Sequence, residues 1–391
     1  MPSLRAVVTA LATVVVVAVQ AAPQAAAGSD PGSGSGSGSG VCNNSPSLCS
    51  RPYNKMTHLG AHDSSFLRDK STNNSPAGNQ FKNATLALDA GLRLLQTQLH
   101  KVESGQTPQE RLRLCHSSCG ILDAGPLERW LAAVTDWMSR NPNDVVTLLL
   151  VNSDRVPAQD IGAAFERAGL AQLAYKPPPA ANTQSTWPTL QTMISQGTRV
   201  VVFVTNMPTA PDVPYLIPEF EHIFETAFEI TQLDGFNCTL DRPKSAGDAA
   251  AALGAGYMSL VNHFKYQNVG IGLLKSLASS VGINSNIIMP DADRAGVVNS
   301  PAQTADGNLG RHVEQCRSQW GQPPNFVLVD FWDVAGPLDA IDTLNGMPVG
   351  AASGRKAVAP GPVTAAARRS RGVVAAVTLA AMAAASTLVL M

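Results

Sequence analysis

Residues 126–151, PLERWLAAVTDWMSRNPNDVVTLLLV, place a helix directly before a strand. From Pro126 to Arg140, the side chains Leu127, Trp130, Leu131, Val134, Trp137 and Met138 recur at the spacing of one helix face, and Asn141-Pro142 stops the helix. Val145–Val151 is then a continuous apolar run, the pattern of a parallel strand buried on both faces. Working outward, similar runs at Met56–Gly60, Leu92–Leu99, Leu112–His116, Arg199–Thr205, His222–Thr226, Tyr257–Asn262 and Phe326–Phe331 bring the strand candidates to eight. Eight strands alternating with helix-like stretches predict one α/β domain, a (β/α)8 TIM-type barrel over residues 41–348. A doubly wound open sheet is the alternative, although no G-x-G-x-x-G follows the first strand. Segments 154–187 and 265–324 are long enough to hold further elements.

The ends read as addresses. Arg5, the apolar run Ala6–Val19 and Ala25-Ala26-Ala27 have the basic, apolar and small order of a signal peptide over residues 1–27. A Gly/Ser linker follows over 28–40, which cannot pack. A Pro/Ala-rich stalk spans 349–371, and the apolar tail 372–391 is long enough to cross a bilayer. Arg368, Arg369 and Arg371 precede that tail with no basic flank after it, contrary to a type I span. Small residues at 351–354, a spacer and an apolar tail fit a GPI attachment signal instead. The reading is a secreted, cell-surface protein, GPI-anchored to the plasma membrane, with the membrane surface as a partner through its C-terminal anchor.

Six cysteines, Cys42, Cys49, Cys115, Cys119, Cys238 and Cys316, are consistent with disulfides in an oxidising compartment. They allow fifteen pairings; proximity favours Cys42–Cys49 and Cys115–Cys119, leaving Cys238–Cys316. The sequons at Asn43, Asn73, Asn83 and Asn237 predict glycosylated surface loops. A net charge of −1 gives no electrostatic case for a nucleic-acid partner.

Barrel active sites form at the C-terminal ends of the strands. Those ends read Gly60-Ala61-His62-Asp63-Ser64, Gln96-Thr97-Gln98-Leu99-His100, Leu114-Cys115-His116-Ser117, Asn262-His263 and Asp330-Phe331-Trp332-Asp333. Four of these five carry a histidine, from a total of seven in the chain. Two imidazoles across a pocket suit phosphodiester cleavage, one taking a proton from the attacking hydroxyl and the other giving one to the leaving oxygen; a pKa near 6.5 permits both. Asp330 is the natural carboxylate to orient one of them. Histidine and aspartate are also metal ligands, but no H-E-x-x-H or similar tight spacing supports a metal, and no cofactor is implied.

Gly60-Ala61-His62-Asp63-Ser64 resembles the G-[TA]-H-[DN]-S signature of the phosphatidylinositol-specific phospholipase C X-domain superfamily. The resemblance continues through Cys49-Ser50-Arg51-Pro52-Tyr53, Gly91-Leu92-Arg93, Leu114-Cys115-His116, Val327-Leu328-Val329-Asp330-Phe331 and Leu344-Asn345, and in detail is to the secreted fungal PLC-like phosphodiesterases. It implies His62 as general base and His116 as general acid, with Asp63 supporting the catalytic hydrogen bonds and Asp330 as the carboxylate paired with the acid. Strand two departs from the family: Gln96 and Gln98 stand where bacterial members have an Asp-x-Arg and the calcium-dependent branch has acidic ligands. Losing a charge-assisted donor at a developing oxyanion costs roughly 3–4 kcal/mol. Lys101, Arg113 and Lys265 are the cations nearest the strand ends in sequence, and strand alternation turns Arg113 away from the face carrying His116. Gln96, Gln98, His100, Asn262, His263 and Trp332 complete the candidate substrate contacts, with Trp332, Phe264 and Tyr266 as a possible apolar rim.

The function read from these residues is a phosphoric diester hydrolase of the phospholipase C type, with a phosphodiester lipid or its head group as substrate. An inactive barrel kept as a surface or wall binding protein is the alternative. A glycosidase would need two opposed carboxylates, for which Asp63 and Asp330 are the candidates, and it gives no reason for the histidines.

Overall fold

The apolar runs wind into one curled parallel sheet. In the computed structural model, which describes residues 40–102, 107–178, 187–269, 287–348 and 354–359, the parallel strands are β1 His58–Ala61, β2 Leu94–Lys101, β3 Val146–Asn152, β4 Val200–Val204, β5 Leu216–Pro218, β6 Ile223–Thr226, β7 Met258–Asn262 and β8 Phe326–Val329. The signal-peptide and linker residues 1–39, residues 349–353 and the tail 360–391 lie outside the described residues. Among the described residues no helix is long and apolar enough to cross a membrane.

Hydrogen bonds join the strands in the order β5-β4-β3-β2-β1-β8-β7-β6, each pair parallel. The two ends of this path are joined by the chain itself, through the single-turn helix Glu219–Glu221. Helices α1 Ala84–Ala90, α2 Leu127–Arg140, α3 Ala158–Arg167, α4 Leu190–Ser195, α5 Ala249–Gly254, α6 Leu309–Trp320 and α7 Leu338–Leu344 fill most of the crossovers. The architecture is the expected (β/α)8 arrangement, with a break between β5 and β6.

Side-chain alternation divides the core in two. One set, with Leu95, Leu148, Leu150, Val202, Val261, Val327 and Val329, belongs to the outer buried cluster that also holds the α2 face of Leu127, Leu131, Val134, Trp137 and Met138. The other points inside the sheet: Leu94, Leu149, Val201, Phe203, Ile223, Leu260, Phe326 and Leu328 meet Tyr53, Met56 and Trp187. This second register decides the site. Two residues beyond the inward-facing Gly60, Leu94, Ile223, Leu260 and Leu328 come His62, Gln96, Glu225, Asn262 and Asp330.

Two expectations change. Leu112–Cys115 is not a parallel barrel strand: it runs antiparallel to the end of β2, and Asp123–Pro126 runs antiparallel to it in turn. The connection from the end of β2 at Lys101 to Leu112, residues 102–111, is shorter than the dozen or more residues that a parallel crossover needs, whereas an antiparallel return needs only a turn. The place left open is taken by β5, whose three residues end in Pro218 itself and carry almost no strand signal. Asn43 is not a surface sequon: it is 6% exposed, and its Oδ1 accepts from the Val145 N–H at 2.7 Å. Asn73, Asn83 and Asn237 are exposed.

The three disulfides are the pairs that proximity favours, Cys42–Cys49, Cys115–Cys119 and Cys238–Cys316. Within the stretch read as stalk, residues 354–359 lie against the barrel, where Arg355 forms two 2.7 Å bonds to Asp342 and Lys356 pairs with Asp89. Cys238–Cys316 spans 78 residues and ties the loop after β6 to α6. A loop of that length constrains the unfolded chain by about 4 kcal/mol. The paired substitution Cys238→Ala/Cys316→Ala should therefore lower unfolding free energy by about that amount in urea titration, against about 2 kcal/mol for the four-residue separation of Cys115–Cys119.

Candidate active site

Asp63 is fully buried, and its Oδ2 sits between two imidazoles, 3.6 Å from His62 Nε2 and 3.4 Å from His116 Nε2. The Gln98 amide donates to the same oxygen at 2.8 Å, while its own Oε1 accepts from the Ser117 N–H at 2.9 Å. Gln98 therefore braces Asp63 against the backbone that follows His116. Gln96 Oε1 accepts from the Asp63 N–H at 2.6 Å and holds the strand-one turn in the same way. Both glutamines line the cavity but spend these groups on protein contacts.

On its other side, His62 Nδ1 meets Asp330 Oδ1 at 2.8 Å. This overturns the expectation that Asp330 pairs with His116: β1 and β8 are neighbours in the sheet, so their ends meet, and His116 reaches the site from the antiparallel excursion beyond β2. Asn79 donates to Asp330 Oδ1 at 3.1 Å, and Gln80 donates to the carbonyls of His62 and Val329, tying the ends of β1 and β8 together. Neither Asn79 nor Gln80 was anticipated; they come from a loop with no periodicity to mark them. Phe264 stacks on the His62 ring at 3.6 Å, with 7° between the planes.

Each of the three central residues precedes a residue with left-handed backbone: Asp63 at φ 46°, Ser117 at φ 58° and Phe331 at φ 47°. Non-glycine residues in that region cost roughly 1–3 kcal/mol each and persist where their surroundings over-determine them. Here the turns aim His62, His116 and Asp330 at a common point.

Burial is the largest influence on the His62 pKa and pulls it down, but the carboxylates of Asp63, Asp330 and Glu225 outweigh it, and the net shift is upward. Burial also dominates at His116 and lowers its pKa, because only Asp63 stands close by and the His62 charge opposes protonation. Asp330 is raised by burial, partly offset by His62 and Asn79. The resting proton therefore favours His62.

The two histidines face a cavity of about 420 Å³ that Gln96, Gln98, Asn262, Phe264, Glu225 and Arg242 also line. Arg242 is the only lysine or arginine among the described lining residues, and sequence reasoning missed it. It lies on the short strand Leu240–Arg242, antiparallel to β6, beyond any predicted strand end. Both Nε and Nη2 reach Glu225 Oε2 at 2.8 Å, and the guanidinium lies 4.5 Å from the Phe228 ring centre. Asn262 donates to the same Glu225 oxygen at 3.1 Å.

The remaining candidates fall elsewhere. Lys101 pairs with Asp160, Arg113 with Asp123 and Lys265 with Asp291, none of them lining this cavity. His100 lies past the barrel rim against Asp154. His263 shares the outward register of Val261; it bonds His312 and the Val298 carbonyl, and burial pushes its pKa down to about 3. Trp332 turns outward after the Phe331 turn and packs in the outer core. Phe264 and Tyr266 are buried but do line the cavity, so two of the three aromatics expected as its apolar rim are at the site. Among the described residues, the groupings of His, Cys and Asp close enough to share an ion are Cys238–His312–Cys316 and Cys115–Cys119–Asp123, both containing disulfide sulfurs.

The chain is similar to known proteins over most of its length. The family model described as PI-PLC X 1 matches residues 48–345. A PI-PLC X domain-containing protein 1 of Arthroderma benhamiae is 34% identical over 308 residues, covering 78% of this chain and 90% of that protein. A protein of the same fungus called an uncharacterized secreted protein is 33% identical over 293 residues, covering 75% of this chain; the match spans 60% of that protein's length. Among solved structures, a phosphatidylinositol-specific phospholipase C from Listeria monocytogenes aligns with TM-score 0.45 and 13% identity over 78% of this chain and 98% of that one. One from S. aureus aligns at 0.44 and 11%, over 79% and 95%. With the family match covering most of the barrel, from the first disulfide to the residues after the last strand, this chain belongs to the PI-PLC X-domain family.

Proposed function

We propose that the chain is a phosphoric diester hydrolase of the phospholipase C type, acting at the cell surface on a phosphoinositide or a related phosphodiester. The observation that carries this reading is the convergence of His62 and His116 on one cavity, with the Asp63 carboxylate between them. His62 Nε2 removes the proton from a hydroxyl adjacent to the phosphodiester, that oxygen attacks phosphorus, and His116 Nε2 protonates the leaving oxygen, so the product of the internal attack is a cyclic phosphate. Asp330 on Nδ1 fixes the His62 tautomer and stabilises the imidazolium that forms; this makes His62 the stronger base. At rest His62 holds a proton more readily than His116, so the reacting form is the one with that proton on His116 and His62 neutral, which a bound phosphate anion beside His116 favours.

Gln98 is committed to Asp63 and Ser117, so the charge on the phosphate falls to Arg242 from the opposite wall. The surface location rests on the end segments and on the secreted relative. The alternative of an inactive binding barrel draws on the Glu225 bond that already occupies Arg242. Purified chain assayed on phosphatidylinositol vesicles separates the two: release of a cyclic phosphate supports hydrolysis, and binding without release supports the barrel.

His62→Ala and His116→Ala should each cost about 10²–10⁴-fold in turnover; full activity in either overturns the mechanism. Arg242→Ala should cost about 10²–10³-fold, with circular dichroism confirming that the fold is retained. The pH profile should be a bell whose limbs belong to the coupled pair. Because Asp330 raises the His62 pKa, Asp330→Asn should move the alkaline limb to lower pH, and an unmoved limb would contradict the dyad.

A further inference from the structure

The seam where the sheet is not hydrogen-bonded carries an acid that the reaction above does not use. Glu219 follows β5 directly and is fully buried. Neither of its carboxyl oxygens has a hydrogen-bond donor among the described residues. The charged groups acting on it are Glu225 and Arg242, the pair that forms the cavity wall. Arg242 Nε, Arg242 Nη2 and Asn262 Nδ2 all converge on Glu225 Oε2 and make no use of its other oxygen.

An ionised carboxylate buried with no donor is costly, and two carboxylates side by side are costlier still. One proton between them removes both costs: it gives Glu219 a partner and leaves one negative charge on the pair. Burial and the neighbouring Glu225 accordingly push Glu219 well above the ordinary glutamate range, against the lowering influence of Arg242.

We infer that Glu219 and Glu225 share one proton, and that its position sets how much of the Arg242 charge is free for a bound phosphate. With the proton on Glu219, Glu225 is a full carboxylate and holds Arg242. When an anion enters the cavity, the proton crosses from the Glu219 oxygen to Glu225. The negative charge moves to Glu219, away from the cavity, and Arg242 turns its charge to the phosphate. No atom is gained or lost, and the pair keeps a single negative charge throughout. Glu219 is thus a positioning residue, acting through Glu225 on Arg242. The inference rests on Arg242 as the phosphate-binding cation of the proposed reaction.

The test uses the full chain and needs no turnover. Infrared difference spectra of wild type and Glu219→Gln should show a protonated-carboxyl carbonyl band at neutral pH that the variant lacks. Calorimetric titration with inorganic phosphate should show affinity weakened about tenfold in Glu219→Gln, the equivalent of one pKa unit. Glu225→Gln, which takes the counter-charge from Arg242, should bind phosphate more tightly than wild type. A band that survives Glu219→Gln, or wild-type phosphate affinity in that variant, overturns the inference, as does a wild type that binds no phosphate. Should Glu219→Gln fail to fold, the wild-type band decides by its own titration: disappearance within the ordinary glutamate range overturns the shared proton. If the band and the Glu219-dependent affinity are both found in a chain that hydrolyses no phosphodiester, the pair stands and the proposed reaction falls.

Discussion

A single buried charge organises this molecule. Asp63 has no exposure to water, so protein groups alone stabilise its carboxylate, and they gather on Oδ2, while Oδ1 has no hydrogen-bond partner among the described residues. It takes the Gln98 amide on Oδ2 and lies close to the Nε2 atoms of His62 and His116, drawing the ends of β1 and β2 and the excursion that carries His116 into one place. The same carboxylate raises the pKa of both imidazoles against burial; it succeeds at His62, where Asp330 and Glu225 add to it, and fails at His116, where it stands nearly alone. The asymmetry between two chemically identical side chains is thus a matter of how many carboxylates each one sees.

Local backbone strain works to the same end. The residues after His62, His116 and Asp330 all sit in the left-handed region, and one of them is phenylalanine, for which that region is unfavourable. The surrounding bonds hold the turns in place: Gln96 to the Asp63 N–H, Gln98 to the Ser117 N–H, and the Phe331 N–H to the Asn79 carbonyl. Asn299 adds two bonds to the carbonyls of Asp330 and Phe331. Such a shell is stiff, as acid–base geometry requires.

The departure on strand two has a structural counterpart across the cavity. Glutamines at 96 and 98 brace the site without bringing charge, and the cation of the described lining comes instead from Arg242, stacked over Phe228 and opposed by Glu225. The cationic side of the described lining is therefore the wall next to the break between β5 and β6, not the end of β2. A paired arginine offers a phosphate less than a free one does, so what neutralises Glu225 matters as much as Arg242 itself.

The local features were legible in the sequence. Continuous apolar runs, the α2 stripe and its Asn141-Pro142 stop specified strands and helices, because a residue's neighbours along the chain set its periodicity. The strand ends that build the site could be singled out for the same reason: inward register carries from Gly60 to His62, from Leu94 to Gln96 and from Leu328 to Asp330 by simple alternation. Alternation stops being informative where the chain leaves the sheet. His100 past the rim, Trp332 beyond a left-handed turn and His263 on the outward register all stood among the candidate substrate contacts in sequence and do not line the cavity. Only the tertiary structure decided that Leu112–Cys115 turns back on β2, that Asp330 serves His62 rather than His116, and that Arg242 shares their cavity. Those outcomes depend on which strands become neighbours, and that is settled by the packing of segments far apart in the chain, where no local pattern reaches.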